Sequence, residues 1–572
     1  MWTLILLCIV LLIFIVIFDF FQNKEFYKYA SRFPGPKCLP LIGNTYLFSL
    51  TNLTNVLKTY MRILHTYPSP SRLWMGKSFW INVYDADQIQ SILTKLMEKG
   101  SFYKFSKPWL GNGLAVGPES IWHYHRKFLR PAFSINVLRP FLQVFQKHSK
   151  ILTENLSVKL DGNEFQILPY VVDACLDITL ETTAGVSKYS KANYAKYSKE
   201  VSRVLDLMLK RGLSFWLYPD VIYKLTKNSQ IFNESVQFLR NTTLDIIKQK
   251  RMELLQTDKN VKDETESDEK KSFLEFVIKL ADNDKKFTDT DIIDECNNLL
   301  AAGNDTISSA LQFTLLILAS LPEVQEAVYQ ELYNIFGNES PESIAITTDI
   351  LARMDYTERV IKESMRLFPP LPIILRQSVE DVQIDDYIYP KNSTIFIVIS
   401  KIHRDEKYWP DPLKFDPDRF LPEKIAERHS HAYLPFSAGP RNCIGFAYAI
   451  MEMKIILATL LYRQFLRRRD QRQHQEMLKT ILYGHRKEIQ YQFLIKTGIL
   501  VIEEFKFKWA RGISSRVILL ANERQAFGVS PPTASRATSN KEKLFATNQR
   551  PAFLAPHHFH RHFSTLQPFS PP

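Results

Sequence analysis

One short segment near residue 440 constrains this chain more than any other part of its sequence. It reads Phe436-Ser-Ala-Gly439-Pro-Arg441-Asn-Cys443-Ile-Gly445, with five residue types at fixed offsets. Each type makes up a few per cent of proteins, so chance gives the combination at roughly one start position in ten million. A buried structural cysteine in a turn is the alternative interpretation. The fixed spacing instead indicates a defined motif built around Cys443.

The segment resembles the FxxGxRxCxG signature of cytochromes P-450, whose haem iron is held by a cysteine thiolate. By this resemblance Cys443 is the metal ligand and Phe436 shields its sulfur from water. Gly439 permits a turn that aims backbone N–H groups at the sulfur. Arg441 is expected to bind a haem propionate. Gly445 leaves space where the following helix passes the porphyrin.

A Glu-x-x-Arg motif supports the resemblance. Glu363 and Arg366 are three residues apart and share one face of a helix. Alone this is a weak signal, because many helices carry such a pair on their surface. The segment Pro417–Phe420, with Arg419, is similar to the PERF-like segment of the family. The resemblance therefore implies a buried network of Glu363, Arg366 and Arg419 that locks the haem pocket.

Two further positions resemble the propionate-binding residues of the family. Trp122 and Arg126 match its WxxxR motif, and both side chains are expected to reach one propionate. Arg376 lies where the family often places another arginine for a propionate. These three residues complete the predicted cofactor-binding set.

A long apolar helix is predicted at Asp294–Leu321. By resemblance its middle part covers the distal face of the haem, where Ala302 and Gly303 leave room for O₂. Asp305 and Thr306 form an acid–alcohol pair that can relay protons. The alternative for Thr306 is a hydroxyl that bonds back to the carbonyl one turn earlier.

The amino end predicts a membrane anchor. The run Trp2–Phe18 is apolar except for Thr3, and its length is the lower limit for a bilayer-spanning helix. A cleaved signal peptide is the alternative, but no basic region precedes the run. Lys24, Lys28 and Arg32 follow it, so the positive-inside rule places the remaining chain in the cytoplasm, at the endoplasmic reticulum membrane.

Charge and cysteine content exclude two classes of function. The net charge is +13, but residues 467–572 carry 18 Lys and Arg against 7 Asp and Glu. The excess belongs to the tail, so nucleic-acid binding by the main body is not expected. The five cysteines form no close pair, which argues against a disulfide framework or a CxxC zinc site.

The predicted fold is mainly α with a minor β region, the cytochrome P-450 haem-thiolate fold behind an N-terminal transmembrane helix. Further predicted elements are a helix at Thr357–Phe368, a strand at Thr394–Ser400, a helix at Phe446–Tyr462 and a solvated loop at Asp258–Lys271. The predicted parts are an anchor at 1–21, a Pro-rich hinge at 22–49, a haem-thiolate monooxygenase domain at 50–465, and a basic, partly disordered tail at 466–572.

The resemblance implies a monooxygenase that inserts one oxygen atom of O₂ into a lipophilic small molecule, such as a xenobiotic, a fatty acid or a hormone-like lipid. Electrons come from NADPH through a flavoprotein reductase that docks on the Cys443 side, and a cytochrome b-type protein is a second donor. Membrane lipid is an expected partner. The similarity is greatest to the microsomal animal clan of fatty-acid omega-hydroxylases and many insect enzymes.

One departure from that clan concerns the cofactor. Ala302 stands where many members have a glutamate that attaches covalently to the haem, so we expect non-covalent haem b and a weaker case for long-chain omega-hydroxylation. Two alternatives stay open: a haem-thiolate isomerase or dehydratase, and a non-catalytic haem-binding protein whose pocket the tail disrupts. NADPH dependence and a substrate-induced spin shift discriminate between them.

Overall fold

The computed structural model describes residues 2–48, 53–158, 166–186, 191–260, 272–284, 286–339 and 344–467. The helices of this part of the chain, in chain order, are α1 (Trp2–Gln22), α2 (Lys24–Arg32), α3 (Leu53–Thr66), α4 (Ala86–Lys95), α5 (Lys107–Leu110), α6 (Glu119–Leu129), α7 (Ile135–Leu138), α8 (Phe141–Ser157), α9 (Leu168–Thr179), α10 (Lys191–Leu213), α11 (Asp220–Lys224), α12 (Lys227–Asn260), α13 (Phe273–Asn283), α14 (Asp289–Ser320), α15 (Pro322–Phe336), α16 (Thr348–Arg353), α17 (Asp355–Leu367), α18 (Ile399–Ile402), α19 (Pro422–Glu427) and α20 (Phe446–Arg467).

Six short strands lie beside these helices. They are β1 (Ser71–Met75), β2 (Ser78–Val83), β3 (Ile374–Gln377), β4 (Val382–Ile384), β5 (Tyr387–Tyr389) and β6 (Thr394–Ile397). Four of them form a sheet in the order β1-β2-β6-β3, and β4 pairs with β5 as a hairpin. The β2–β6 pair is parallel and the other two pairs of the sheet are antiparallel. The mainly α fold with a minor β region is thus confirmed.

The main helical core lies around α14. This helix packs on α9, α15, α17 and α20, which contribute buried aliphatic side chains to one hydrophobic cluster. Its start is fixed by a capping box, in which Thr288 Oγ1 accepts from Asp291 N and the Asp291 carboxylate accepts from Thr288 N. It ends at Leu321, because Pro322 cannot continue the backbone hydrogen bonds of a helix.

Several element boundaries differ from the sequence prediction. The helix predicted at Asp294–Leu321 begins five residues earlier, at Asp289, because the capping box lies there. The strand predicted at Thr394–Ser400 ends at Ile397, where the chain enters α18. The first residues of the loop predicted at Asp258–Lys271 continue α12 as far as Asn260, and residues 261–271 lie outside the described part. The predicted tail lies outside it beyond Arg467.

The amino end is helical over a longer range than the apolar run. α1 covers Trp2–Gln22, and its apolar side chains are largely exposed, with Trp2 at 79% and Phe21 at 70%. Lys24–Arg32, which the prediction placed in the Pro-rich hinge, forms α2. In the described part of the chain, no single helix meets the length and hydropathy of a membrane span, although α14 and α15 do so jointly, with a bend of 108° between them.

Candidate functional site

The cysteine segment folds into a tight loop between α19 and α20. Ser437 and Gly439 have positive φ angles of 59° and 71°. A Cβ at Gly439 would lie 2.7 Å from the Leu93 carbonyl oxygen, so both conformation and space require glycine there. Cys443 N donates to Phe436 O at 2.9 Å, which closes the loop. Gly439 therefore lies in a tight turn that a larger residue would not fit.

The Cys443 side chain is accessible to solvent, although protein atoms surround it closely. This burial raises the pKa of its thiol. The Gly445 backbone N–H bonds the sulfur, and Arg126 and Lys99 act on it electrostatically; all three lower the pKa of the thiol and favour the thiolate.

Phe436 precedes Cys443 in the sequence, and Gly445 follows it. The Phe436 ring contacts Phe446 edge-on, with 4.8 Å between ring centroids. A Cβ at Gly445 would have the Cys443 sulfur at 4.0 Å and Phe133 Cε1 at 3.9 Å as its nearest neighbours. A small side chain therefore meets little protein at Gly445, in agreement with the space predicted there.

Four cationic side chains, Lys99, Arg126, Arg376 and Arg441, lie near Cys443 or near one another. Arg376 and Arg441 are 1% and 6% exposed. Arg126 donates to the Asn442 carbonyl oxygen at 3.1 Å and to Asn442 Oδ1 at 2.7 Å. Arg441 lies over the Trp122 ring, 4.7 Å from its centroid. The structure thus brings together the arginines that sequence motifs at three separate places predicted.

Burial lowers the pKa of each of these cations. It is the largest cause at Arg126, Arg376 and Arg441, with the pKa of Arg441 lowered to about 10. Lys99 responds most: burial, followed by repulsion from Arg376 and Arg441, holds its pKa well below the ordinary value. Within the described residues none of the four forms an ion pair, and Glu98 and Glu119 act on Arg441 only from a distance.

This arrangement fits a bound dianion. Arg376 Nε, Arg441 Nε and Arg441 Nη2 are buried and have no hydrogen-bond partner among the described residues. Buried donors are normally satisfied, so unpaired guanidinium nitrogens next to an accessible thiol indicate a ligand that carries both carboxylates and a thiolate-binding centre. Haem b, with two propionates and an iron atom, has this combination.

Sequence analysis missed Lys99. It pairs with Arg376 through an isolated antiparallel bridge, and its ammonium lies 5.0 Å from the Tyr103 ring centroid. No motif marks it, because its neighbours in space are far away in the sequence. A single lysine shortly after the end of α4 looks like an ordinary surface residue in the sequence.

The middle of α14 also borders an open space. Ala302 is exposed, whereas Asn304 and Ile307 on the same helix are buried. Thr306 Oγ1 donates to Ala302 O at 2.7 Å, which is the backbone bond considered as the alternative for Thr306. Asp305 is half-buried beside it. The predicted small residue and the acid–alcohol pair therefore occupy one segment of helix.

Gly303 has a different neighbour from the one predicted. A Cβ at this position would lie 2.9 Å from Thr179 Cγ2 and 3.0 Å from Thr179 Oγ1 on α9. The absence of a side chain at Gly303 allows α14 and α9 to pack closely. The space predicted for O₂ at this position is thus taken up by Thr179. Ala302 is the small residue of the pair that is exposed.

The Glu-x-x-Arg pair is fully buried. Glu363 and Arg366 are both 0% exposed and share two hydrogen bonds, of 2.6 and 2.8 Å. Arg366 also donates to the carbonyl oxygens of His403 at 2.8 Å and Pro412 at 2.7 Å. Arg419 Nε lies 3.5 Å from the Glu363 carboxylate, a looser contact. The three side chains thus meet as the sequence motifs indicated.

Comparison with known families decides the identity of the fold. A sequence model described as "Cytochrome P450" matches residues 33–493. The chain belongs to the cytochrome P450 family. The match continues past Phe465, where the motif-based resemblance ended. Family membership gives haem b with a cysteine thiolate ligand, electrons derived from NADPH through a reductase, and monooxygenase chemistry on lipophilic substrates.

Curated relatives of this P450 are mostly insect proteins of one group. Cytochrome P450 4c3 of Drosophila melanogaster is 33% identical over 487 residues, which are 82% of this chain and 90% of that protein. Cytochrome P450 4c21 of Blattella germanica is 32% identical over 486 residues, 83% and 96% of the two chains. Cytochrome P450 4V2 of Homo sapiens is 33% identical over 403 residues, 68% and 75%. The resemblance to the microsomal animal clan is confirmed.

Proposed function

We propose that Cys443 would supply the thiolate ligand of a non-covalently bound haem b, and that this P450 inserts one atom of O₂ into a lipophilic small molecule. The accessible Cys443 sulfur beside unpaired, buried guanidinium groups is the observation that carries the proposal. When bound, haem activates O₂, and a thiolate ligand favours cleavage of the O–O bond.

The cationic cluster has the binding role. Arg126, Arg376, Arg441 and Lys99 hold the two carboxylates and orient the cofactor over Cys443, with Trp122 as a further contact. Paired carboxylates also remove the mutual repulsion that the cations otherwise share. The Gly445 N–H and the nearby positive charges keep the sulfur deprotonated, which ligation of a metal requires.

The α14 segment has the proton-handling role. Thr306 holds its hydroxyl hydrogen on Ala302 O, which leaves its oxygen lone pairs available to a donor in the open space. Asp305, at the preceding position of the helix, is the acid of the pair. Ala302 limits the side-chain volume there and offers no carboxylate for covalent attachment, which supports non-covalent haem and weakens a long-chain omega-hydroxylase assignment.

The exposed apolar surface of α1 supports a membrane anchor. We infer that α1 inserts into the endoplasmic reticulum membrane with the remainder of the chain in the cytoplasm, where the basic residues after the helix favour that orientation. A lipid-soluble xenobiotic, fatty acid or hormone-like lipid then reaches the enzyme through the bilayer. The flavoprotein reductase, and a cytochrome b-type donor, approach on the Cys443 side.

The decisive experiment is the carbon monoxide difference spectrum of the reduced protein, with Cys443→Ser compared with Cys38→Ser. Cys38 is exposed and lies near the amino end, so it is the matched control. The red-shifted Soret band of a thiolate ligand should be present in the wild type and in Cys38→Ser and lost in Cys443→Ser. A band retained in Cys443→Ser would refute the ligand assignment.

Two measurements on the same samples test the other parts of the proposal. Acidified organic solvent should extract all of the haem if it is non-covalent. Product formation should require NADPH and the reductase. Turnover of an oxygenated lipid without NADPH or O₂ would instead support a haem-thiolate isomerase.

A further inference from the structure

The first half of α14 carries a row of buried polar side chains. Asp294, Glu295 and Asn298 are 3%, 0% and 3% exposed. A core helix rarely holds polar groups without a partner, because each unsatisfied group destabilises the fold. The partners of this row therefore indicate what it holds in place.

Each of the three side chains binds the backbone of the loop that follows α5. Asp294 accepts from Asn112 N at 2.9 Å, Glu295 accepts from Leu114 N at 3.1 Å, and Asn298 accepts from Ala115 N at 3.1 Å. These bonds join residues more than 180 positions apart in the sequence. The row thus fixes one side of the loop 110–117 along the length of α14.

The glycines of this loop show how closely it lies on the helix. A Cβ at Gly111 would lie 1.9 Å from the Asp294 carboxylate, and one at Gly113 would lie 2.2 Å from Asn298 Nδ2. Gly111 also has a φ of +59°. No side chain fits at either position, so the loop cannot move on α14 without breaking the bonds.

The far end of the loop reaches the cofactor-binding residues. Gly117 O accepts from Arg441 Nη1 at 2.9 Å, and Arg441 lies over Trp122 of α6. On the same helix, His125 Nδ1 lies 2.7 Å from Glu295 Oε1, and both side chains are buried. His125 precedes Arg126, which bonds the residue before Cys443. Glu295 is therefore joined to the cationic cluster by two routes.

We propose that Glu295 is a positioning residue for the haem site, which acts through His125 on α6 and through Leu114 on the loop 110–117. It sets the place of Trp122, Arg126 and Arg441 relative to α14, the helix that carries Asp305 and Thr306. Glu295 thereby fixes the propionate-binding residues and the α14 segment in place relative to each other. This inference rests on the proposed haem site.

The test compares Glu295→Gln with Thr243→Val in the full-length, haem-loaded protein. Glutamine keeps the size of the side chain, but it has one acceptor oxygen where Glu295 uses two, one for Leu114 N and one for His125 Nδ1. Thr243 is the matched control, because it is buried and its hydroxyl bonds Asn297 of α14 at 2.9 Å, which joins α14 to α12 rather than to α6. Haem transfer to excess apomyoglobin and the midpoint of thermal unfolding are measured for both.

Both variants should unfold at lower temperature, but only Glu295→Gln should lose haem faster, by roughly tenfold, the lower range for outer partners of a metal site. His125→Asn should have the same effect, and the double variant should be no worse than either single one. If Glu295→Gln does not fold, the rate of haem loss and the unfolding midpoint of His125→Asn can be compared with those of Thr243→Val instead.

Haem loss that follows the loss of stability equally in Glu295→Gln and Thr243→Val would overturn the proposal, as would full additivity of the His125 and Glu295 changes. A wild-type protein without the red-shifted Soret band would be a different failure, since it would refute the proposed haem site itself.

Discussion

Lys99 illustrates how single buried charges report on the ligand of this site. It lies near Cys443, Arg376 and Arg441, and its pKa is held well below the ordinary value of 10.5, first by burial and then by the two arginines. A charge in such a place destabilises the protein unless an anion neutralises it. Its removal should therefore have opposite effects with and without the cofactor.

We predict that Lys99→Met speeds haem loss by about tenfold, the order found for outer contacts of metal sites. In the cofactor-free protein the same change should stabilise the fold by on the order of 1 kcal/mol at neutral pH. A lysine whose pKa falls on folding lowers stability below its ordinary pKa, so this gain should shrink as pH rises toward 10.5. Haem transfer and urea unfolding are the measurements, with exposed Lys95→Met as the control. Equal haem loss in both variants would contradict the assignment.

Glu452 on α20 is a second buried ionisable group, on a residue that the sequence motifs did not mark. It is 0% exposed. Burial raises the pKa of this group well above 4.5, with Cys175 and Tyr448 as its polar neighbours. The folded protein therefore keeps Glu452 protonated where the unfolded chain has released the proton.

Glu452→Gln should consequently stabilise the protein at neutral pH. Above pH 4.5 the wild type loses about 1.4 kcal/mol per pH unit relative to the variant, until the folded-state pKa is reached. Urea unfolding between pH 4 and 8 measures this difference, which should vanish at the acid end. Glu358→Gln is the control, because its effect on the free energy of unfolding should have the opposite sign. Hydrogen bonds from Lys362 and Lys454 outweigh burial and lower the pKa of Glu358, so its removal should destabilise above pH 4.5.

At the scale of elements, the sequence predicted long helices well and their ends less well. The apolar content of α14 predicts its centre, and Pro322 predicts its end. Its start depends on the Thr288–Asp291 capping box, which the apolar pattern does not include. The strand β6 is shorter than its β-branched run, because Ser400 N bonds Pro372 O and the chain turns into α18. The residues of the site that belong to motifs could be predicted from the sequence. Lys99, His125 and Thr179 could not, because their contacts are with residues far away in the sequence.

The attachment of α17 to the 403–416 segment yields the element-scale prediction. Arg366 holds three carbonyl oxygens of that segment and the buried Glu363 carboxylate. Arg366→Met leaves Glu363 buried with only the looser Arg419 contact, so it should lower the free energy of unfolding by about 3–5 kcal/mol and reduce haem incorporation. On the same helix Arg359 pairs with the exposed Asp355 and Asp418, and Arg359→Met should cost less than about 1 kcal/mol. Similar losses from both changes would contradict this account.

At the scale of the whole molecule, the described residues that build the site all lie before the end of α20. The cationic cluster, the cysteine loop and the α14 segment lie between Lys99 and Gly445, and α20 closes the core with fully buried Ile455, Ile456 and Leu457. The family match nevertheless extends to residue 493, beyond the end of the described helix. Residues 494–572 lie outside the part of the chain that the family model matches.

This comparison predicts different outcomes for two shortened chains. A chain that ends at residue 493 should retain the haem content and the red-shifted Soret band of the full chain, because it keeps everything that the family shares. A chain that ends at Phe465 removes the last two residues of α20 and all that follows within the matched region, so it should bind less haem. Reduced carbon monoxide difference spectra, normalised to protein, measure both. If the chain ending at 493 lost the band while the full chain kept it, the basic carboxyl-terminal segment would be part of the fold that holds the haem.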